Sequence, residues 1–356
     1  MTDADPPVTA SGEPARPNLL ILDDHEGILS RSPGADRLRA IADVTVLGRP
    51  LTDVDDAQLA DVSVLLAIRE RTRLDAATLS RFPSLELVLQ TGGHAYHVDV
   101  DEMRRSGVLV ALSRRARAAR AAVPELTFAL ALAALRHMPA AQRAMDSGQW
   151  PALTGRTLAG RTLGLLGAGR HGAAVARIAV AFGMDVVVWD RPGSTRQEDD
   201  GHRRLPLDEV LAVSDVLSVH LRLSDQSRGL LDSERLRRMK PGSVLVNTAR
   251  GAIVDEAALV EVLKDGPLSA AGLDVFVTEP LPAESPLRGL PNVVLTPHLG
   301  WTVEEVFVEF AAIAADQLEQ YLQGELDPAE LLDPEAAQVD RPRFGGVAGA
   351  GGAQRP

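Results

Sequence analysis

A glutamate and a histidine stand beside prolines in the stretch DVFVTEPLPAESPLRGLPNVVLTPHLG, residues 274–300. Glu279 comes directly before one proline, and His298 comes directly after another. Proline fixes φ, lacks a backbone donor and disfavours the helical conformation in the residue before it, so neither side chain is expected inside a regular helix. Both should lie on stiff loops at strand ends, where the chemistry of α/β proteins collects. A carboxylate and an imidazole are groups that can share or transfer a proton.

A second candidate site is the run TLGLLGAGRHG, in which Gly167, Gly169 and Gly172 have the spacing G-x-G-x-x-G. The run follows an apolar strand pattern and precedes a helical pattern, the context in which such glycines cradle a dinucleotide pyrophosphate. Asp190 ends the next strand pattern, 18 residues beyond Gly172, where it can accept hydrogen bonds from the adenosine ribose hydroxyls. The 2′-phosphate of NADP would lie next to the negative charge of Asp190, so NAD is favoured over NADP. Arg191, the next residue, could however pair with a phosphate.

The composition restricts the class of protein. The 356 residues are 45% hydrophobic, enough to bury two cores, and the net charge of −12 disfavours a nucleic-acid partner and favours a small substrate. The chain has no cysteine, which excludes disulfides, thiolate zinc sites and cysteine nucleophiles, and we assign no metal site. The N-terminal residues lack the apolar run of a secretory signal, and no later run is long enough to span a membrane, so we expect a cytoplasmic enzyme.

The elements that must position these residues form two series. The first series of strand patterns reads NLLILDD, VTVLG, VSVLLAI, LELVLQTG and VLVAL, and the second reads TLGLLGAG, DVVVWD, DVLSVHL, SVLVNTA, SAAGLDVF and NVVLTPH. A long helical pattern rich in alanine and leucine, from about Ala118 to Met138, separates them. Alternation of strand and helical patterns is typical of a parallel sheet. We therefore predict an α/β fold with two parallel sheets.

The final helical pattern, at about residues 302–322, follows the last strand and has no strand of its own to pack beside. We expect it to return to the first domain, which would then be discontinuous. The predicted boundaries are residues 18–115 with 302–334 for the first domain and residues 116–301 for the second. Residues 1–17 and 335–356 are rich in proline, glycine and alanine, and we expect them to be disordered tails.

Three further motifs follow the glycine turn in order: VNTARGAIVDEAAL, AGLDVFVTEP and VLTPHLG. With them the sequence resembles the D-isomer-specific 2-hydroxyacid dehydrogenases, a family that includes D-lactate, D-glycerate, hydroxypyruvate and D-3-phosphoglycerate enzymes. The resemblance covers roughly residues 18–332. It implies two Rossmann-like, doubly wound parallel-sheet domains with a cleft between them: a discontinuous substrate-binding domain and an NAD-binding domain. The implied function is an NAD-dependent oxidoreductase acting on a small 2-keto or 2-hydroxy acid.

The resemblance also places roles on individual residues. The arginine of N-T-A-R-G, Arg250, would bind the substrate, because its planar fork can hold a carboxylate and a carbonyl oxygen together. The histidine of T-P-H-x-G, His298, would be the acid/base, and the glutamate of T-E-P, Glu279, would favour its protonated form. Besides the glycines and Asp190, the candidate cofactor contacts are Arg170, His171, Thr248, Ala249 and Asp274. Asp274 could instead orient the active site or cap a loop, and His171 could simply be exposed.

The loop QTGGHAYHVDV, residues 90–100, departs from the family pattern. In the family, a glycine-rich loop binds the substrate carboxylate through backbone N–H groups, and the candidate substrate contacts here are Gly92, Gly93 and His94. His94 lies where a second loop glycine is more usual, and Tyr96 lies where a polar residue is common. These two side chains could contact the substrate or pack beneath the loop.

A second departure is the segment SRRARAARAAVPE, where four arginines crowd the start of the long helix: Arg114, Arg115, Arg117 and Arg120. They could form a solvated basic face that pairs with acidic residues of this acidic protein. Alternatively, Arg120 faces the cleft and binds a second acidic group of the substrate.

The resemblance implies a homodimer formed through the nucleotide domains. The long helix and the segment QRAMDSGQWPALTGRTLAG would cross to the partner, with Trp150 as an aromatic anchor. Two other functions stay open. Transcriptional corepressors that sense NAD share this fold, and formate dehydrogenases are related but carry glutamine at the position of Glu279.

Overall fold

The chain divides into two compact units, each with its own sheet. The computed structural model describes residues 16–191 and 201–338. The first unit consists of Met1–Arg117 and Glu304–Pro356, and the second unit is Ala118–Val303. Every pairing between neighbouring strands is parallel in both sheets. The predicted α/β fold with two parallel sheets is thereby confirmed.

Twelve β-strands lie in the described residues. They are β1 Asn18–Leu22, β2 Asp43–Val46, β3 Val64–Ala67, β4 Leu87–Gln90, β5 Leu109–Leu112, β6 Thr162–Leu166, β7 Asp185–Trp189, β8 Arg203–Arg204, β9 Val216–Val219, β10 Ser243–Asn247, β11 Leu268–Leu273 and β12 Val293–Leu295. The sheet of the first unit has the order β2-β1-β3-β4-β5, and that of the second has the order β12-β11-β10-β9-β6-β7-β8. Eleven of the strands match the predicted patterns, whereas β8 was missed because two residues carry no periodicity.

The same part of the chain contains ten α-helices. They are α1 Pro33–Ile41, α2 Ala76–Leu79, α3 Val100–Ser106, α4 Ala119–Leu135, α5 Met138–Asp146, α6 Arg170–Ala181, α7 Leu207–Val213, α8 Ser233–Arg237, α9 Glu256–Asp265 and α10 Glu304–Gln323. Short 3-10 helices occupy Leu29–Arg31, Leu51–Asp53, Asp56–Gln58, Gly251–Ile253, Pro286–Gly289, Pro328–Glu330 and Pro334–Gln338. None of the helices in the described ranges is long and apolar enough to cross a membrane.

The predicted helix from about Ala118 to Met138 is confirmed as α4 for most of its length, but its C-terminal end lies earlier than predicted. The helix α4 ends at Leu135, and α5 begins at Met138 after a break at His137, whose φ is 54°. Pro139 explains the new start, because a proline lacks the N–H that a helix interior needs and is tolerated only in the first turn.

The final helix, α10, packs against α1 in the first unit. Gly34 of α1 permits this close approach, because a Cβ atom at Gly34 would lie 2.4 Å from the backbone carbon of Ala311. Phe307 and Phe310 of α10 are buried in the same unit.

The inner ends of both predicted tails are ordered, which corrects the expectation of disorder there. The carbonyl oxygen of Pro17 accepts a hydrogen bond of 2.9 Å from the N–H of Asp43 and so extends the β1–β2 ladder. Pro334–Gln338 forms a 3-10 helix in which Ala336 is buried. The rest of the predicted tails, residues 1–15 and 339–356, lies outside the described residues.

The sheet of the second unit has an apolar core on each face. Leu163 and Leu165 of β6 belong to a core that includes residues of α4 and α6. Leu166 belongs to a different core, which includes residues of α7, α8 and α9. Because successive side chains of a strand point to opposite faces, this division shows helices covering both sides of the sheet. The carboxyl ends of the strands are therefore where polar side chains can reach solvent.

Candidate active site

The three glycines of the turn between β6 and α6 serve different purposes. Gly167 has a φ of 94°, and a Cβ atom there would lie 3.0 Å from the carbonyl oxygen of His220. A Cβ atom at Gly172 would lie 2.0 Å from the carbonyl oxygen of Gly167, so this glycine lets α6 pack against β6. A Cβ atom at Gly169, by contrast, would meet no atom of the described residues within 4 Å. Two glycines thus shape the turn, and the third leaves open the space that a pyrophosphate group needs.

Asp190, at the end of β7, is fixed by two contacts. Its Oδ1 atom accepts a hydrogen bond of 3.1 Å from the N–H of Ala168, which lies in the glycine turn. Its Oδ2 atom lies 3.4 Å from Nε of Arg204 in β8. Sequence reasoning considered Arg191 as the neighbouring cation and missed Arg204, because the contact depends on β8 pairing with β7. Arg191 itself is exposed.

Arg170 and His171 open α6, where Arg170 is exposed and His171 is partly buried. His220, at the end of β9, lies next to this turn, and its ring nitrogen Nε2 lies 2.8 Å from Oγ of Ser218. Burial lowers the pKa of His220 to about 3, and the nearby charge of His171 acts in the same direction. His220 is therefore neutral at physiological pH, and sequence reasoning did not single it out.

The turn that carries Arg250 follows β10. The side chain of Asn247 braces it from both sides: Oδ1 accepts a hydrogen bond of 3.0 Å from the N–H of Ala249, and Nδ2 donates one of 3.0 Å to the carbonyl oxygen of Arg250. Thr248 is buried, and its Oγ1 lies 3.1 Å from Oγ1 of Thr127 in α4. Sequence reasoning missed the bracing role of Asn247, although its place directly before the motif T-A-R-G was a usable signal.

Gly251 brings the Arg250 turn against the loop that follows β11. A Cβ atom at Gly251 would lie 1.9 Å from the carbonyl carbon of Phe276 and 2.4 Å from the nitrogen of Val277. The N–H of Phe276 in turn donates a hydrogen bond of 2.9 Å to Oε1 of Glu279. The positions of Arg250 and Glu279 are therefore linked through backbone contact.

Glu279 and His298 meet, although they are 19 positions apart in the sequence. The Nδ1 atom of His298 lies 2.7 Å from Oε2 of Glu279. The side chains are partly exposed, 26% for His298 and 36% for Glu279, so solvent and small molecules can reach the pair. Because this contact uses Nδ1, Nε2 is the ring nitrogen that can face a substrate.

Two opposing effects set the pKa of Glu279. Burial acts to raise the pKa, but the hydrogen bond and charge of His298 outweigh it, assisted by the N–H of Phe276 and the charge of Arg250. The net result is a pKa below the ordinary value, so Glu279 is a carboxylate at neutral pH. Its negative charge lies beside the imidazole ring of His298.

Asp274 holds the loop of His298 from beneath. The side chain is fully buried, and Oδ1 accepts hydrogen bonds of 2.6 Å from Oγ1 of Thr296 and 2.7 Å from the N–H of Leu299. The Oδ2 atom accepts one of 2.8 Å from the N–H of Gly300. Burial raises the pKa of Asp274, while these three donors act against the rise. The contacts favour the orienting role over the alternative of a direct cofactor contact.

His298 itself has a φ of 56°, in the left-handed region that side chains with a Cβ atom rarely adopt. Its N–H donates a hydrogen bond of 2.9 Å to the carbonyl oxygen of Asp274. Strain of this kind persists only where surrounding contacts impose it, and it is frequent at functional sites.

In the first unit, the loop of Gly92 and Gly93 packs on an arginine that sequence reasoning missed. A Cβ atom at Gly92, where φ is 93°, would lie 2.1 Å from Nη1 of Arg69. His94 is drawn towards Glu70, with 3.0 Å between Nδ1 of His94 and Oε1 of Glu70. Gly93 is exposed, as the predicted carboxylate contact requires.

Tyr96 stacks on His94, with 4.6 Å between the ring centroids, and is 61% exposed. The alternative in which Tyr96 packs beneath the loop was therefore wrong.

Most of the arginine cluster is engaged within the first unit. Arg114 donates to the carbonyl oxygens of Ala329 and Leu331, at 2.9 and 3.1 Å. Arg115 lies 2.9 Å from Asp316 and 3.4 Å from Glu330. The backbone N–H of Arg117 donates to the carboxylate of Glu309. The contacts of Arg115 favour the alternative of a basic face that pairs with acidic residues, and the Arg114 side chain is held by backbone carbonyls. Arg120 is exposed in the first turn of α4 in the second unit.

Comparison with known proteins agrees with this geometry. A family model described as the NAD binding domain of D-isomer specific 2-hydroxyacid dehydrogenase matches residues 128–300. A glyoxylate reductase of Korarchaeum cryptofilum is 37% identical over 281 residues, which cover 76% of this chain and 83% of the relative. A D-3-phosphoglycerate dehydrogenase of Mycobacterium bovis is 40% identical over 266 residues, which cover 74% of this chain and 50% of the relative.

A solved structure of a phosphoglycerate oxidoreductase from Vibrio cholerae o395 is also similar. It has a TM-score of 0.77 and 35% identity, and the match covers 85% of this chain and 98% of that chain. The chain belongs to the D-isomer specific 2-hydroxyacid dehydrogenase family, as its motifs predicted. The match to the NAD binding domain model lies within the second unit, and the activity is that of an NAD-linked 2-hydroxyacid dehydrogenase.

Proposed function

We propose that this protein transfers a hydride between NAD(H) and a small 2-keto or D-2-hydroxy acid, with His298 as the acid/base, Glu279 as its partner and Arg250 as the substrate-binding cation. The observation that carries the proposal is the 2.7 Å contact between His298 and Glu279 in the unit that holds the dinucleotide turn. A histidine held by a carboxylate on one ring nitrogen has the other nitrogen available for proton transfer.

A nicotinamide cofactor bound in this unit would supply the hydride that reduces the carbonyl carbon. The Nε2 atom of His298 gives a proton to the carbonyl oxygen and takes it back in oxidation. The negative charge of Glu279 lies beside the imidazole and can stabilise the positive charge that the ring carries in proton transfer. The tight cap that Asp274 makes on the loop of His298 limits how far the imidazole can move.

Arg250 supplies the substrate contact. Its guanidinium group can bind the carboxylate and the carbonyl oxygen of a 2-keto acid at the same time, and its positive charge polarises the carbonyl bond. The bracing by Asn247 and the close packing of Gly251 support this assignment, because a rigid turn loses less freedom on binding.

The remaining substrate contacts are proposed in two places. Gly92, Gly93 and His94 would bind from the substrate-binding domain, formed by residues 18–115 and 302–334, through backbone N–H groups and the imidazole. Arg120 would bind from the NAD-binding domain, residues 116–301, if the substrate has a second acidic group. The relatives are named glyoxylate reductase and D-3-phosphoglycerate dehydrogenase. These names point to small acids without and with a second acidic group.

For the cofactor we propose NADH rather than NADPH as the preferred reductant. The preference follows from Asp190, which can accept hydrogen bonds from the ribose hydroxyls and would repel a 2′-phosphate. Gly167, Gly169 and Gly172 would cradle the pyrophosphate. Further contacts are proposed at Arg170, His171, Thr248 and Ala249.

The decisive experiment is a panel of 2-keto acids assayed with NADH. It contains glyoxylate, pyruvate, hydroxypyruvate and phenylpyruvate, together with dicarboxylic and phosphorylated analogues. Turnover of any member supports the proposed enzymatic activity. The ranking of the keto acids by kcat/KM identifies the substrate class. Binding of NADH without turnover of any member would contradict the proposal and would favour the NAD-sensing alternative.

We also propose a homodimer formed through the NAD-binding domains. Trp150 is 90% exposed, and Met138, Met145 and Leu153 are exposed in the same stretch of chain. Several exposed apolar side chains in one stretch of chain are typical of a face that a partner covers.

A further inference from the structure

Asp190 and Arg204 form a charge pair at the place where a dinucleotide site distinguishes its two cofactors. In sites of this type, an acid at this strand end binds the ribose 2′-hydroxyl of NAD, whereas a nearby arginine accommodates the 2′-phosphate of NADP. Here an acid and an arginine are both present, with 3.4 Å between Oδ2 of Asp190 and Nε of Arg204.

Contacts with the backbone fix the positions of both Asp190 and Arg204. Asp190 is anchored to the glycine turn through the N–H of Ala168. Arg204 lies in β8, opposite Val188 of β7, and its Nη1 atom also donates a hydrogen bond of 3.1 Å to the carbonyl oxygen of His202. Both side chains are only partly exposed, 21% for Asp190 and 30% for Arg204, so the guanidinium group has little freedom to leave the ribose site.

The neighbouring residue Arg203 provides a natural comparison. Side chains alternate between the faces of a strand, so Arg203 and Arg204 point in opposite directions from β8. Arg203 is exposed, whereas Arg204 is partly buried against Asp190. The chain thus places one of two adjacent arginines at the ribose site.

We propose that Arg204 is a specificity-determining residue that lets this site accept the 2′-phosphate of NADP(H) in spite of Asp190. With NADH, Arg204 stays on Asp190 while the carboxylate accepts hydrogen bonds from the ribose hydroxyls. With NADPH, the phosphate brings a charge of about −1.5 to −2 beside the carboxylate, and Arg204 is the cation that compensates for it. The dissociation constants for NADH and NADPH should consequently differ little, with NADH bound somewhat more tightly.

The test is a comparison of dissociation constants for NADH and NADPH, measured by fluorescence titration of the full chain at one fixed ionic strength. Arg204→Met should weaken NADPH binding by about 10- to 100-fold, the loss expected for a hydrogen bond to a charged group. It should change NADH binding by less than about threefold, because the ribose hydroxyls do not need the arginine. Arg203→Met, the matched control, should change neither constant.

A second pair of variants tests the coupling. Asp190→Asn should tighten NADPH binding while Arg204 is present, and adding Arg204→Met should remove that gain. The proposal is overturned if Arg204→Met weakens both cofactors by the same factor or leaves both unchanged. It is also overturned if the wild-type chain binds NADH but no measurable NADPH. Because every readout is binding, these outcomes are independent of whether any keto acid is turned over.

Discussion

At the scale of single residues, the charge of Glu279 connects the structure most directly to pH. Its pKa is lowered, since the contact with His298 and the smaller effects of Phe276 and Arg250 outweigh the burial that would raise it. A carboxyl group with a lowered pKa in the folded protein adds stability above its ordinary pKa. That stability is lost as the pH falls through the lowered value. The contribution of the Glu279 carboxylate to stability is therefore lost only in acid.

Replacing Glu279 should move the pH profile of keto-acid reduction. Glu279→Gln preserves shape but removes the carboxylate charge beside the imidazole of the proposed proton donor, so reduction should decline at a lower pH than in wild type. The measurement is kcat/KM for reduction from pH 5 to 10, with Glu284→Gln in the same loop as the control. An unmoved profile for Glu279→Gln would show that the pair does not govern proton transfer.

Replacing His298 should remove the proton donor while keeping the cofactor site. His298→Ala should lower kcat by about 10²- to 10⁴-fold at every pH, the usual contribution of a positioned acid/base. NADH should still bind, because the glycine turn and Asp190 are untouched. Steady-state rates and a fluorescence titration of NADH measure the two effects separately. Near-normal turnover in this variant would remove His298 from the mechanism.

At the scale of elements, the contact of Gly251 with the backbone of Phe276 couples two loops of the active site. Gly251→Ala forces these loops apart, and overpacking of this kind costs about 1–3 kcal/mol of unfolding free energy. Because Arg250 precedes the glycine, KM for the keto acid should rise and kcat should fall, whereas NADH affinity should change little. Gly289→Ala is the control, since its Cβ atom would meet nothing within 4 Å among the described residues. Equal kinetics for the two variants would contradict the coupling.

The strands and helices also show which parts of the fold could be predicted from the sequence alone. The alternation of apolar and polar residues located eleven strands, and the spacing of three glycines located the turn. Both signals are local in the sequence. Sequence periodicity could not find the two-residue strand β8, and it carried the helix α4 past the break at His137. The contact between Arg204 and Asp190 and the approach of Gly251 to Phe276 join segments that are distant in sequence. Local patterns do not encode such contacts.

The proposed catalytic residues were easier to predict from the sequence than the side chains that hold them in place. Glu279 and His298 could be found because prolines mark their loops, and the structure brings them to 2.7 Å. The side chains that hold the site, such as Asn247 and the buried Asp274, look like ordinary strand-end residues until the fold is known. The Arg69–Glu70–His94 contacts were missed for the same reason.

At the scale of the whole molecule, the exposed apolar surface near Trp150 should be covered by a second copy of the chain. Light scattering at micromolar concentration should give the mass of a dimer, and Trp150→Glu should shift the population towards monomer by placing a charge in the interface. Val46→Glu, at an exposed apolar position of the first unit, is the control and should leave the mass unchanged. A monomer mass for the wild-type chain would refute the homodimer.

The contact between α1 and α10 has a consequence for how the chain is made. The first unit draws α1 from Pro33–Ile41 and α10 from Glu304–Gln323, so a ribosome must synthesise the chain as far as Gln323 before that unit can close. The second unit is one continuous segment, Ala118–Val303, and can fold while synthesis continues. Until α10 emerges, the surface of α1 that packs against it stays open to water and to other nascent chains. We expect this surface to be a place where a chaperone protects the chain during translation.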